Sequence, residues 1–299
     1  MSPAMAAPPR FSVIVPTCDR NALLTKCLSR LAPEIQSLPA EEYEVVVTDD
    51  GRGVTAESLV AEQHPWARWV AGPRKGPAAN RNNGARHAAG EWLAFIDDDC
   101  IPDARWLRAY KAALSAHPAA SVLEGRTYVD QPRATLADVS PVNETGGHLW
   151  SCNFAVRADT FNLLGGFDER FPYAAMEDVD LCLRLTRAGH SFPFVRGAAV
   201  CHPWRARGGW AKLKQHQEST FIYLAIHPDE RRRINPRYYM RMVLRGLLKT
   251  TIPSALRLKG RGLKEEALQH ISFLQMALYL SGVGRGNRPR GRGRGGALQ

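Results

Sequence analysis

"GPAANRNNGARHAAGEWLAFIDDD" (residues 76–99) is the stretch on which the reading of this chain turns. Its first half is Ala-rich and reads as a helix; its second, around Trp92–Ile96, is a short unbroken apolar run of strand length. A helix that delivers a fully apolar strand is the building unit of a parallel sheet covered on both faces. The same alternation extends outward in both directions. Upstream, "FSVIVPT" (11–17) is a β-branched run ended by Pro16, and "NALLTKCLSRL" (21–31) sets Leu23, Leu24, Cys27, Leu28 and Leu31 on one helical face. "EYEVVVTDD" (42–50) and "ARWVAG" (67–72) read as strands around a short helix at 54–63. Downstream, "SVLEGRTYVD" (121–130) and "AAVCHPW" (198–204) read as strands and "WSCNFAVRAD" (150–159) as a strand leading into a short helix, with a further helix from near Glu177 to Gly189. Helices are expected at about 209–227, 234–250 and 262–281.

Each early strand runs out into polar or charged residues: Thr17 and Asp19, Asp49 and Asp50, Asp97 to Asp99. Open parallel sheets bind ligands beyond the carboxyl ends of their strands, so these residues mark a candidate site before any chemistry is assigned. No G-x-G-x-x-G, P-loop or G-x-S-x-G signature occurs, which argues against a dinucleotide oxidoreductase, an NTPase and an α/β-hydrolase. The six cysteines lack any C-x-x-C pair and read as free thiols, neither a disulfide framework nor a zinc site. No run of about 18 apolar residues suggests a spanning helix, and "MSPAMAAPPR" does not read as a signal peptide.

The net charge of +11 hides an asymmetry. From Arg205 onward there are 20 Lys and Arg against 5 Asp and Glu, whereas the first 204 residues hold 20 against 24. A mildly acidic front part and a strongly basic rear part imply an anionic partner for the latter.

Three aspartates in a row repel one another, so something must favour them. Adjacent carboxylates suit a hard divalent cation; one of them could instead cap a helix beginning near Pro102–Asp103, or all three could line a solvated loop. Glu177, Asp178 and Asp180 stand where the macrodipole favours acids, and a carboxylate there could also serve as a general base. His202 fits either a metal ligand or a satisfied core histidine. Arg81 and Asn82 could approach a phosphate at a helix terminus, or Arg81 could be an ordinary surface arginine.

Taken in order, "FSVIVPTCDR", "VVVTDDG", "GPAANRNNGARHAAGEWLAFIDDD", "NFAVRADTFNLLGGFDERFPYAAMEDVDLCLRL" and "CHPW" resemble the inverting family-2 glycosyltransferases of the GT-A fold over residues 10–204. The resemblance implies an α/β fold with a mostly parallel central sheet and, here, a C-terminal helical extension. It implies that Pro16, Thr17, Arg20 and Asp50, with Asp49 behind them, hold the nucleoside, and that Arg81 lies near the nucleotide. Asp97 and Asp99 match the D-x-D acids, the second binding Mn²⁺ or Mg²⁺ directly and the first meeting the ribose or the metal shell. Asp98 stands between them in the donor-binding set, and strand alternation would turn it the other way. Asp178 resembles the general base, with Glu177 its rival, and His202 a further metal or diphosphate contact. The donor would be a nucleotide sugar, UDP-linked by preference, and the acceptor the hydroxyl of a glycan, a lipid-linked glycan or a small molecule. "TCDR" and "DDGRG" depart from the commoner "TYNR" and "DDGS", both around the nucleoside.

The expected organisation is a catalytic domain over 1–204, with a nucleotide-sugar half at about 10–100 and an acceptor half at 101–204. A basic helical extension over 205–284 and a disordered Arg/Gly-rich tail over 285–299 follow. The extension suits either docking on anionic lipid headgroups or packing on the core or into a homodimer; nucleic-acid binding is the least favoured use, since the Arg/Gly tail lacks aromatics. The location expected is cytoplasmic, with peripheral contact at the inner face of the membrane. Two rival functions are an inactive transferase-fold scaffold acting through its basic tail and a nucleotidyltransferase, the latter opposed by the helix after "GGFDE".

Overall fold

The computed structural model describes residues 8–282. They form two compact units, one from the chain up to Arg133 together with Asp138–Ala206, the other from Ala134–Ala137 together with the chain from Arg207 onward. The Arg/Gly-rich segment 285–299, for which disorder is expected, lies outside the described residues.

The first unit is built on strands β1 (Phe11–Thr17), β2 (Tyr43–Asp49), β3 (Arg68–Ala71), β4 (Trp92–Ile96), β5 (Ile101–Pro102), β6 (Val122–Tyr128), β7 (Asp138–Val139), β8 (Asn153–Arg157), β9 (Phe194–Cys201) and β10 (Arg205–Ala206). Its helices are α1 (Asn21–Leu31), α2 (Glu57–Gln63), α3 (Pro77–Arg86), α4 (Trp106–Ala116), α5 (Ala158–Leu163) and α6 (Glu177–Arg187). Eight strands join in the order β3-β2-β1-β4-β8-β6-β9-β5, and β7 with β10 makes a separate two-stranded ribbon. Alternation decides which residues face which layer. Val13, Val15, Val45, Val47, Ala94 and Ile96 pack with Leu24 and Leu28 of α1 and Trp106 and Leu107 of α4. Ile14, Val46, Leu93 and Phe95 face the other way, against Ala78 of α3, Phe161 of α5 and Leu181 of α6. Both faces are covered, as the unbroken apolar strands require.

The sheet is mostly parallel, with a departure that strand composition does not announce. β1 pairs in parallel with β2 and β4, and β6 with β9, but β8 runs antiparallel to both β4 and β6. An apolar run such as Phe154–Val156 carries no mark of its direction; the long excursion after β6 sets it. Pro16 lies inside β1 and does not end it: the β1–β4 ladder closes at Ile14–Phe95, so the missing N–H of Pro16 falls where no β4 partner is registered.

Two further expectations are corrected at the aspartates. β4 stops at Ile96, and Asp97 to Asp99 form a turn in which the Cys100 N–H donates to the Asp97 carbonyl at 3.1 Å, so strand alternation does not apply to them. Helix α4 begins at Trp106 with no side-chain cap, so none of the three aspartates caps it.

The second unit is helical: α7 (Trp210–Ile226), α8 (Pro236–Gly246), α9 (Ile252–Arg257) and α10 (Leu263–Ser281). A π-turn over Leu247–Thr251 joins α8 to α9, carrying the expected 234–250 helix on to Arg257. Tyr239, Met276 and Ala277 form its apolar centre with Phe273 and Leu280 against them. Glu266 accepts from Thr251 at 3.0 Å and pairs with Arg207 at 3.1 Å, and Thr251 also meets His270 Nε2 at 2.9 Å. Among the described residues no helix is long and apolar enough to cross a membrane.

Candidate active site

Helix α3 organises the site, because four consecutive residues of "NRNN" leave it in four directions, about 100° apart. Gly84 lets the helix lie on the sheet: a Cβ there would stand 2.6 Å from Ile14 Cγ2 and 3.0 Å from Thr48 Cγ2. Asn80 Nδ2 donates to the carbonyls of Thr17 and Thr48 at 3.2 and 2.9 Å, tying the ends of β1 and β2 together. Asn82 Nδ2 donates to the Phe167 carbonyl at 2.8 Å while its Oδ1 accepts from the Phe167 N–H at 2.9 Å, fixing the "GGFDE" loop. The amide of Asn82, whose Nδ2 also donates to Glu169 Oε1 at 3.1 Å, is thereby committed to the "GGFDE" loop, and the phosphate contact considered for it is not what this geometry offers. Asn83 reaches Thr48 Oγ1 and the Ala71 carbonyl, both at 3.0 Å.

Arg81 points into the site and is 3% exposed, so it is no surface arginine. Its Nη2 donates to Asp97 Oδ1 at 2.6 Å and its Nη1 to Glu177 Oε1 at 3.1 Å. One planar guanidinium thus joins the aspartate turn to the N-terminus of α6, and a fork of donors is what such a bridge needs. Burial alone would raise the Asp97 carboxyl, but the charge and hydrogen bond of Arg81 outweigh it and hold Asp97 below the usual carboxylate value. Glu177 receives less: burial, then the neighbouring Asp178 charge, push its carboxyl up to about 7 against the pull of Arg81. One cation does not neutralise two acids.

Asp178 is half-buried where Glu177 is 3% exposed. Burial raises the Asp178 carboxyl, opposed by Arg81 and by the backbone N–H groups of Val179 and Ser151. Helix α6 is entered through Met176, whose φ of 72° is left-handed, a conformation that non-glycine residues adopt at a cost.

Asp98 is 0% exposed and turned inward. Thr17 Oγ1 donates to its Oδ2 at 2.7 Å, and Arg20 pairs with it through Nη2 at 2.5 Å and Nε at 3.1 Å. Thr17 and Arg20 thus face its two oxygens, yet burial raises the Asp98 carboxyl to about 7 against the pull of Arg20 and Thr17. Arg20 Nη1 also reaches Asp99 Oδ2 at 3.3 Å.

Asp99 and His202 meet at the end of β9. His202 Nε2 lies 3.4 Å from Asp99 Oδ1, and neither atom makes a hydrogen bond among the described residues. His202 Nδ1 stands 3.0 Å from the Pro203 carbonyl, which places a proton on Nδ1, so that the neutral ring presents a lone pair at Nε2. Two lone-pair atoms facing each other in a buried place fit a cation between them, and a carboxylate with an imidazole suits a divalent one. Cys100 Sγ completes a group whose ligand atoms all lie within 4.8 Å of one another. Burial pushes that thiol well above its ordinary value, so it stays protonated and soft beside a site suited to Mn²⁺ or Mg²⁺. Asp97, expected among the metal ligands, lies outside this group because Arg81 holds it. No cysteine spacing could have brought Cys100 to notice.

The acids after β2 are used for the loops. Asp49 accepts from the N–H groups of Gly51 at 2.7 Å and Ala56 at 2.6 Å and from Trp69 Nε1 at 3.2 Å. Asp50 accepts from the N–H groups of Arg74 at 2.7 Å and Gly76 at 3.2 Å, and burial raises its carboxyl. Asp19, which carried no assigned role, gathers the N–H groups of Arg52, Gly53 and Val54 within 3.1 Å, and those bonds hold its carboxyl below the usual value. "DDGRG" is therefore folded around Asp19. A cavity of about 520 Å³ lies elsewhere, behind Asn82, Phe167 and Arg184, and contains none of the carboxylates above.

An aspartate turn, a buried His–Asp pair and an acidic helix start at the open ends of a mostly parallel sheet match what comparison of the whole sequence finds. The profile of Glycosyl transferase family 2 matches residues 12–170, more than half of the chain. The chain belongs to glycosyl transferase family 2. The validoxylamine A glucosyltransferase of Streptomyces hygroscopicus subsp. limoneus is 29% identical over 222 residues, covering 60% of this chain and 49% of that protein. Pre-mycofactocin glycosyltransferase of Mycobacterium tuberculosis is 29% identical over 229 residues, covering 68% and 46%. The chain spans about half the length of these curated relatives. The solved structure of S. aureus TarS 1–349 in complex with UDP-GlcNAc superposes with a TM-score of 0.55 at 18% identity, over 90% of this chain and 81% of that one. That likeness is one of fold, and the fold is GT-A.

Proposed function

We propose that this family-2 glycosyltransferase moves a sugar, with inversion, from a UDP-sugar to an acceptor hydroxyl with the help of a divalent cation. The bridge made by Arg81 between Asp97 and Glu177 carries the reading, because it sets the donor-side turn and the acidic helix start on either side of one buried cation. Thr17, Arg20, Asp50 and Asp97 line the nucleoside side. Asp99 and His202 would hold Mn²⁺ or Mg²⁺, which supplies neutralisation of the leaving diphosphate. Asp178 takes the proton of the acceptor hydroxyl: it is the most exposed of the three α6 acids, and its raised affinity for protons suits a base working near neutrality. Glu177, held by Arg81, orients the helix start. The UDP-GlcNAc bound by TarS and the glucosyl transfer named for the Streptomyces relative support a UDP-hexose donor. The enzyme works in the cytoplasm, peripheral to the inner face of a membrane through its basic helices.

A thermal-shift panel of nucleotide sugars with and without Mn²⁺ tests the donor, since a ligand bound to the native state raises the melting temperature by linkage. Stabilisation by a UDP-sugar that grows with Mn²⁺ is expected; a panel in which no nucleotide shifts the melt overturns the reading.

A further inference from the structure

From Arg231 to Lys264 the chain carries eight Arg, three Lys and no Asp or Glu. The structure lays most of this stretch along one helical course, α8, the π-turn and α9. Pro253 lacks an N–H and its ring would crowd the carbonyl four residues back; the wider π-turn, with the Ile252 N–H donating to the Leu247 carbonyl, carries the helix through. One side of the course is committed inside the unit, through Tyr239, Val243 and Thr251. Tyr239 and Phe273 of α10 stand 5.9 Å apart, centroid to centroid.

The outer side is apolar where water would ask for polar residues. Met240, Leu244, Leu248, Ile252 and Leu256 recur every fourth residue, and Leu248 and Leu256 are 67% and 79% exposed. Beside the first three stand Arg241, Arg245 and Lys249, also exposed, each one residue on and so about 100° around the helix. An apolar row with a cationic row alongside, and no acid in the stretch that carries them, complements a bilayer surface: the leucines reach the acyl boundary while the cations meet phosphates. A protein partner would not require this pairing of rows. Helix α10 shows the contrast, for its exposed Ile271, Leu274 and Leu278 have no Lys or Arg beside them anywhere in Glu265–Ser281.

We propose that the outer face of α8–α9 is an in-plane anchor for a bilayer rich in anionic phospholipid, a proposal that rests on the peripheral location given above and assigns it to one helical face and one lipid class. The test is co-sedimentation of the full chain with vesicles of phosphatidylcholine alone and with about one-third phosphatidylglycerol, across a salt series. Binding to the anionic vesicles, weakening as salt rises, and little binding to phosphatidylcholine are expected. The triple variant Arg241→Glu, Arg245→Glu, Lys249→Glu should bind at least about a hundred-fold more weakly, at roughly a fivefold loss per cation removed and more for reversal. Leu244→Ser with Leu248→Ser and Leu256→Ser should bind several-fold more weakly at every salt concentration. All these positions are exposed, and an unchanged circular dichroism spectrum and melting temperature would show that the variants fold. Wild-type binding that both variants retain overturns the assignment to this face and leaves the peripheral reading standing. No binding of the wild type to anionic vesicles at low salt overturns both. Equal binding to the two vesicles overturns the charge recognition. A dimer in solution that the serine variant dissociates, without lipid binding, makes the face a subunit interface and overturns the proposal.

Discussion

Arg81 is one cation set between two carboxylates, and the site's electrostatics follow from that ratio. Lysine would keep the charge and lose the fork, so Arg81→Lys should release either Asp97 or Glu177 and destabilise the fold by roughly 2–4 kcal/mol in urea unfolding, as breaking a buried pair does. A loss below about 0.5 kcal/mol would mean the bridge carries no structural weight. Glu177 gives a pH dependence with a definite sign. Its carboxyl rises from 4.5 to about 7 on folding, so between those values the native state holds a proton that the unfolded chain has lost. Its contribution to stability is complete below about pH 4.5 and disappears as pH climbs through about 7. Glu177→Gln stays neutral throughout. Compared at pH 5 and pH 8, the wild type should lose on the order of 2 kcal/mol more than this variant, and equal losses would rule the shift out. Asp178→Asn should cut turnover by about 10²–10⁴-fold and leave donor affinity unchanged, while Glu177→Gln keeps most activity; the reverse pattern in steady-state kinetics would hand the base to Glu177. Much of this was legible, since Arg81, Asp97, Asp99, Asp178 and His202 stand out by type and order. What stayed hidden were commitments made by packing: that Asp98 turns inward onto Arg20, that Asn82 serves the Phe167 backbone, and that Cys100 lies beside His202. Each depends on a partner at least a dozen residues away, which no local pattern encodes.

At the scale of elements, the strands and helices with clear periodicity were readable, and their ends were not. The apolar run at Trp92–Ile96 announces a strand, yet the turn after it depends on a backbone bond from Cys100 to Asp97. The antiparallel course of β8 depends on how the chain returns from β6, which side-chain pattern does not record. Helix α6 shows where a local rule is broken. A left-handed non-glycine residue at the entry to a helix costs roughly 1–2 kcal/mol, and Met176 bears it one residue before the Arg81 contact. Met176→Gly should therefore raise stability by roughly 0.5 kcal/mol, after the entropy that glycine returns to the unfolded chain is subtracted. A calorimetric melt that moves down instead would show that the methionine side chain contributes more by packing than its backbone costs.

At the scale of the molecule, composition foretold an acidic part and a basic part, and the structure divides the chain beside that charge break. Composition could not show that Ala134–Ala137 belong with the helical unit, because the Leu136 N–H to Arg261 carbonyl bond of 2.9 Å joins residues 125 positions apart. The division has a thermodynamic consequence. The carboxylates, His202 and Arg81 all lie in the first unit, so donor and metal act on that unit's unfolding. A donor at about a hundred times its Kd adds about 2.7 kcal/mol, and a domain of roughly 200 residues moves about 2–4 °C per kcal/mol. Calorimetry with UDP-sugar and Mn²⁺ should therefore shift the transition of the sheet-bearing unit by roughly 5–10 °C. Asp99→Ala should lose the increment that Mn²⁺ adds and keep the smaller one due to nucleotide alone, because Thr17, Arg20 and Asp50 remain. If Asp99→Ala and the wild type gain equally from Mn²⁺, the cation binds somewhere other than the Asp99–His202 pair.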